Sequence, residues 1–286
     1  MVGLFQKKKT TPLILGNLVH RGLEERFKNG TESAVRLISD ECEKAFQDAG
    51  DIYSLSPEWL SKQEATATSM VRNAPEKWNI RNMELAEEEF NIPYDDYFNL
   101  VGKIDGIARR EDGTIWVRDY KTKGSFDNAF INDLLQRNVQ GNIYCYAARK
   151  LGKEVQGFEV LMIRRPTIRQ KKKEVLSRYI ERIVSDYLSR TDFYYAESRC
   201  VIPNPNEMFQ RNLGITMFRL RQCYDKNLWE ENETSCHQFG SCCMYLPLCS
   251  RHVGAEDAFD MLGEDHHPEL SNMKGEKDNG IGKRTK

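Results

Sequence analysis

The stretch GKIDGIARREDGTIWVRDYKTKG, residues 102–124, alternates like a β-hairpin yet carries Asp105, Asp119 and Lys121 where apolar or neutral side chains are expected. An Asp112-Gly113 turn signal divides it. Taken as a three-residue loop, Glu111-Asp112-Gly113 with Gly113 at positive φ, the turn pairs residues whose numbers sum to 224 and sets Asp105 opposite Asp119. A two-residue loop would shift that pairing by one and need a bulge to restore it. Alternation puts Lys121 on the face of Asp119. Two carboxylates so placed repel, and each holds its proton more tightly unless a cation lies between them. Hard oxygen ligands suit Mg²⁺ or Mn²⁺. A lysine beside such an ion orients or helps deprotonate a water, while the ion stabilises charge on a phosphodiester oxygen. That chemistry is phosphodiester hydrolysis. The bland alternative is a solvated hairpin with surface ion pairs, and three residues alone do not separate the two.

The elements that must position these residues are legible on either side. TPLILGNLVHRGLEERFKNG reads as a helix beginning after Pro12 and ending near Gly30; residues 31–50 and 57–73 read as two more. MELAEEEFNIPY, FNLVGKIDGIA and TIWVRDYKT read as strands. Residues 126–152 read as one long helix stopped by Gly152, EVQGFEVLMIRR as a further strand, and KEVLSRYIERIVSDYLSR as an amphipathic helix. From Cys200 onward periodicity weakens, and the polar, glycine-containing residues 264–286 are expected to be disordered. No internal repeat is visible. This order predicts an α/β domain, one mixed sheet covered by helices, with the acidic hairpin in its middle.

Gln140 and Tyr144 stand at i and i+4, on one face of the long helix. His20 lies on the first helix between Gly16 and Glu24. Each would be ordinary alone. In order, however, GNLVHRGLEE, LVGKIDGI, VRDYKT and QGNIY resemble the motifs of the RecB-type PD-(D/E)XK nucleases, over roughly residues 13–165. The resemblance implies a restriction-endonuclease-like core. It implies that His20, Asp105 and Asp119 bind the metal, that Lys121 serves the attacking water, and that Gln140 and Tyr144 lie beside the site. It also implies a glutamate on the strand before GKID, a role for which Glu87, Glu88 and Glu89 compete. The implied activity is that of a DNA nuclease, commonly an exonuclease that needs an end, in recombination, replication or repair.

Of eight cysteines, Cys236, Cys242, Cys243 and Cys249 fall within fourteen residues. A chain in a reducing compartment does not use them as a disulfide framework, and their spacing is not that of a zinc ribbon. Soft thiolates suit zinc or an iron–sulfur cluster. The segment resembles the C-terminal part of the iron–sulfur staple in AddB-type nucleases and the CRISPR-adaptation exonucleases. That resemblance implies a structural [4Fe–4S] cluster on Cys236, Cys249 and Cys243, with Cys242 the alternative to Cys243 and Zn²⁺ the alternative metal. In those families the fourth cysteine precedes the motif histidine. None precedes His20, so the expectation is that the chain starts late, or that Cys42, Cys200, Cys223 or the spare member of the Cys242/Cys243 pair serves.

The 286 residues suffice for one large domain or two small ones, and 40% hydrophobic against 30% charged residues allows a real core. The expected layout is one nuclease domain over 1–253, including the cysteine-rich 200–253, with a tail at 254–286. A net charge of −1 excludes a uniformly basic surface, so any contact with nucleic acid must be local. MIRRPTIRQKKK supplies Arg164, Arg165, Arg169, Lys171, Lys172 and Lys173, a track for a phosphate backbone to which Lys7, Lys8 and Lys9 could add. No sequence-reading helix is evident, so binding to DNA, single-stranded or with a free end, should be sequence-independent. Recombination or replication proteins are the expected further partners. No apolar run approaches the ~20 residues that span a bilayer, and no signal-type stretch follows the N-terminus; a cytoplasmic protein is expected. Two rivals stand beside the nuclease: a catalytically weak DNA-binding or scaffold subunit, and a zinc-stabilised interaction module.

Overall fold

The computed structural model describes residues 3–6, 11–49, 56–78, 83–126, 134–229, 234, 236–238, 241–243 and 245–262. After a short strand, β1 (Gly3–Gln6), come three helices: α1 (Thr11–Asn29), α2 (Thr31–Ala49) and α3 (Pro57–Arg72). Gly30, at φ 91°, turns the chain between the first two. The Ser56 hydroxyl caps the third, accepting from Trp59 N at 3.1 Å, with Pro57 in its first turn.

The strands β2 (Met83–Pro93), β3 (Asn99–Arg109), β4 (Ile115–Lys123), β5 (Val155–Arg164) and β6 (Tyr195–Val201) form one mixed sheet in that order. β3 and β4 are antiparallel from Gly106↔Arg118 to Arg109↔Ile115, the register that the three-residue loop predicts. Arg110 N donates to Thr114 O at 2.8 Å and Gly113 takes φ 81°, so the turn forms as expected. β4 and β5 are parallel, β5 and β6 antiparallel. β4 is therefore the central strand.

Between β4 and β5 lies α4 (Val139–Lys150), shorter than the helix expected over 126–152. Residues 134–136 make a separate helical turn, and residues 127–133 lie outside the described residues. The break is chemical: extended Asn138 caps α4, its Oδ1 accepting from Gly141 N at 2.8 Å. Gly152 ends the helix region at φ 81°, as predicted. Beyond β5 come α5 (Leu176–Ser189) and a single turn, α6 (Thr191–Tyr194). Where weak periodicity was expected after Cys200 there is a 20-residue helix, α7 (Glu207–Lys226). Only Leu213 of it is buried, while Ile215 and Phe218 are exposed, although Phe209, Leu213, Met217 and Leu220 recur at helical spacing. Of the expected tail, 254–286, residues 254–262 are described, and the stretch expected to be disordered, 264–286, lies outside the described residues.

The chain forms two compact units: residues 8–88 with 104–221, and residues 1–7 with 89–103 and 222–286. In the larger, one apolar core joins Val19 and Leu23 of α1, Ile38 of α2, Met70 and Val71 of α3, and Ile183 and Tyr187 of α5 to Tyr120, Leu161 and Ile163 of the sheet. The opposite face receives α4, at Gly141: a Cβ there would stand 2.4 Å from the Phe158 ring. In the smaller unit β1 pairs antiparallel with β9 (Phe259–Leu262). Phe90 packs over Gly102, leaving no room for a Cβ. No described helix is long and apolar enough to cross a membrane.

Candidate active site

Asp119 sits mid-way along the central strand and is only 1% exposed. Lys121, two residues on and therefore on the same face, places Nζ 3.0 Å from Asp119 Oδ1 and 2.9 Å from Oδ2. The hydrogen bond goes to Oδ1; Oδ2 is buried and receives none. From α4, Gln140 closes the group: its Oε1 accepts from Lys121 Nζ at 3.1 Å, and its Nε2 donates to Tyr144 Oη at 3.0 Å and lies 3.4 Å from Asp119 Oδ1. One turn of helix separates Gln140 from Tyr144, which is why both reach the same place. Two further side chains fix that turn. Asn138 caps it, and the buried Asn142 donates to the carbonyls of Gln136 (2.9 Å) and Asn138 (2.7 Å) while accepting from Asn206. Sequence reasoning passed over both asparagines, although Asn138 immediately before a helical run is a capping signal.

The second half of the group forms where the β3–β4 ladder ends, at Gly106↔Arg118. Asp105 is the next residue outward. Its Oδ2 lies 3.4 Å from the backbone N–H of Tyr120 and 3.4 Å from His20 Nδ1. His20 arrives on α1, with its ring edge-on to Tyr120 at 5.9 Å. α1 comes close here: a Cβ on Gly16, one turn earlier, would stand 3.5 Å from Thr122 Oγ1. The six residues singled out by the sequence thus fall into two adjoining clusters, Asp119–Lys121–Gln140–Tyr144 and Asp105–His20. Of the three competing glutamates, the side chain of Glu87 lies outside the described residues. Glu88 shares a strand face with the buried Phe90 and Ile92, and Glu89 takes the other face.

The electrostatics are set by burial. Burial pushes the Asp119 carboxyl up to about 7; Lys121 pulls it down, and the neighbouring Asp105 carboxylate raises it again. A buried carboxyl with an unbonded oxygen, beside a second carboxylate and an imidazole, is a donor set of the kind that takes a hard divalent cation. Among the described residues, however, no three His, Cys, Asp or Glu side chains converge tightly enough to hold a metal ion as they stand. On the other face of the sheet a buried carboxylate is paired. Glu159 is bonded by Arg118 Nε at 2.6 Å and by Arg110 at 2.7 Å, a structural pair rather than a site.

The profile of the PD-(D/E)XK nuclease superfamily matches residues 3–249. The chain belongs to the PD-(D/E)XK nuclease superfamily. No curated protein matches it. Eight chains of solved structures do. One, titled "Crystal structure of SSO0001", is 16% identical and overlaps 60% of this chain and 73% of its own, with a TM-score of 0.26. Members of the superfamily are typically hydrolases of nucleic acid that use divalent metals, and its α/β architecture is the one described above.

The remaining predicted residues lie elsewhere. In the smaller unit, β7 (His237–Gln238) pairs with β8 (Ser241–Cys242). Its register places Cys236 opposite Cys243, and Cys243 N donates to Cys236 O at 2.8 Å. Cys242 alternates to the other face, and Cys249 ends a helical turn, α8 (Leu246–Cys249). Cys42, Cys145 and Cys200 are buried, and burial pushes their thiols up to about 12, 12 and 11. Among the described residues no three of these thiols converge to hold a metal ion as they stand. Of the basic stretch, Arg165, Arg169, Lys171, Lys172 and Lys173 are exposed, and Arg164 is half-buried.

Proposed function

We propose that this chain is a divalent-metal-dependent DNA nuclease of RecB type, acting as an exonuclease on single-stranded or free-ended DNA in recombination, replication or repair. The observation that carries the reading is the buried Asp119 held against Lys121 and Gln140, with Asp105 and His20 alongside. His20, Asp105 and Asp119 are the residues that would hold Mg²⁺ or Mn²⁺. When bound, such an ion supplies charge stabilisation on a phosphate oxygen and a more acidic water. The chain's own residues do the rest. Lys121, tethered on one side by Asp119 and on the other by Gln140, presents an ammonium of fixed position to a water. Gln140 and Tyr144 hold that ammonium in register, so a change in helix α4 reaches the chemistry. Hydrolysis then forms one bond from water oxygen to phosphorus and breaks the bond to the leaving oxygen, which takes up a proton. The basic residues 164–173 line a path for the phosphate backbone without reading bases.

The cysteine-rich segment is proposed to hold a structural metal, iron–sulfur or zinc, with Cys236 and Cys243 among its ligands. The test of the whole reading uses end-labelled single-stranded DNA, linear and circular, with Mn²⁺ or Mg²⁺ and protein purified without oxygen. Loss of linear DNA alone is expected. Cleavage of both forms would replace the exonuclease with an endonuclease, and cleavage of neither would favour a scaffold subunit.

A further inference from the structure

Arg164 is the last residue of β5 and stands beside Lys123 of β4 in parallel register. Alternation gives its backbone position the side of Asp119 and Lys121, while at the strand end its guanidinium lies against Phe193, which packs on the Tyr120–Ile163 core. Four residues of strand separate Lys123 from Asp119, about 13 Å at the ordinary rise. Its guanidinium carbon lies 4.0 Å from the ring centre of Phe193 and 4.6 Å from that of Phe126. Nε is buried without a hydrogen-bond partner. Among the described residues no carboxylate or carbonyl bonds to the guanidinium.

The neighbouring arginine shows what is unusual in this. Arg190 also stacks on Phe193, at 4.4 Å, but Asp186 neutralises it through two hydrogen bonds of 2.6 Å. Arg26, Arg118, Arg149 and Arg182 are likewise closed by carboxylates or carbonyls. Arg164 is held in place by two aromatic rings and by its strand, whose carbonyl accepts from Tyr187 Oη at 2.6 Å, yet among the described residues no carboxylate bonds to it. Aromatic stacking fixes the plane of a guanidinium while leaving its N–H edge available, and that edge matches the paired oxygens of a phosphate.

Resting on the nuclease reading above, we propose that Arg164 is a preset clamp for one backbone phosphate away from the scissile bond, and that it fixes the register of the DNA strand against Asp119 and Lys121. The other basic residues of 164–173 are exposed and lack any such sleeve; they attract DNA without positioning it. Lysine is no substitute at this position, because it has neither the plane that stacks nor the fork that bonds in two places.

The test measures binding of a fluorescent single-stranded oligonucleotide across a range of salt, in a cleavage-inactive Lys121→Ala background, with folding of each variant checked by thermal melting. Arg164→Gln should bind about ten-fold more weakly and lower the slope of log affinity against log salt by about 0.7, the loss of one phosphate contact. Arg164→Lys should leave most of the affinity unrecovered. Phe126→Leu, which keeps the charge but removes one wall of the sleeve, should weaken binding about three-fold at an unchanged slope. A folded Arg164→Gln with the slope and affinity of its background would make the stack a purely structural clip and overturn the proposal, as would full recovery in Arg164→Lys. Should Arg164→Gln fail to fold, Phe126→Leu decides: undiminished affinity overturns the clamp. No oligonucleotide binding even by the background protein would overturn the nuclease reading and the clamp together, which separates the two failures.

Discussion

At the scale of single residues, the candidate site centres on a carboxyl that the fold makes uncomfortable. Asp119 is buried, pushed up to about 7, and keeps one oxygen unbonded. In the unfolded chain an aspartate titrates near ~3.9. Between those values the folded protein holds a proton that the unfolded chain has released, so the metal-free protein should lose stability as pH rises from about 4 to about 7 and level off above. Asp119→Asn should remove that fall, which melting curves at several pH values would show. Mn²⁺ added at pH 7.5 should raise the melting temperature of the parent and leave Asp119→Asn nearly unchanged. Equal pH dependence in parent and variant would place the strain elsewhere. Asp105, Asp119 and Lys121 were legible in the sequence because a hairpin has only two faces and one centre of pairing. The partnership of His20 with Asp105 was not legible from residues alone. It depends on how α1 packs on the sheet, a contact between segments 85 residues apart in the sequence numbering.

At the scale of elements, α4 matters most. Its start was misplaced in the sequence reading because apolar residues recur at helical spacing through 126–152, whereas Asn138 caps the helix and so sets Gln140 in the first turn. Asn138→Ala should cost about 1 kcal/mol of stability, as lost caps do, and should depress the rate of cleavage more than substrate binding. Gly141 tests the packing beneath it. A methyl there would collide with Phe158, so Gly141→Ala should destabilise the protein by about 1–3 kcal/mol or lift the helix off the sheet. Unfolding by urea would measure the first, and loss of activity at intact fold would reveal the second. Helix α7 was passed over although Phe209, Leu213, Met217 and Leu220 recur at helical spacing, and the fold buries only Leu213 of them.

At the scale of the whole molecule, membership of the PD-(D/E)XK nuclease superfamily accords with the mixed five-stranded sheet, and the α/β expectation from element order alone had already reached that class. Much of the larger unit could be read because its strands and helices alternate with clear periods. The smaller unit could not: it gathers residues from both ends of the chain, and nothing local in β1 announces its pairing with β9. If the cysteine-rich segment holds the proposed structural metal, its hairpin ranks the thiols. With Cys236 facing Cys243, Cys243→Ser should strip metal from the purified protein and lower its melting temperature, and Cys242→Ser should do neither. Iron, zinc and sulfide content would check this.

The most direct measurement compares the parent with Lys121→Ala on labelled linear single-stranded DNA in Mn²⁺, with metal content and fold matched. The parent should degrade the DNA, chelation should stop it, and Lys121→Ala should bind comparably but cleave at least a hundred-fold more slowly if Lys121 serves the attacking water. Cleavage by Lys121→Ala at the parent's rate would contradict that role.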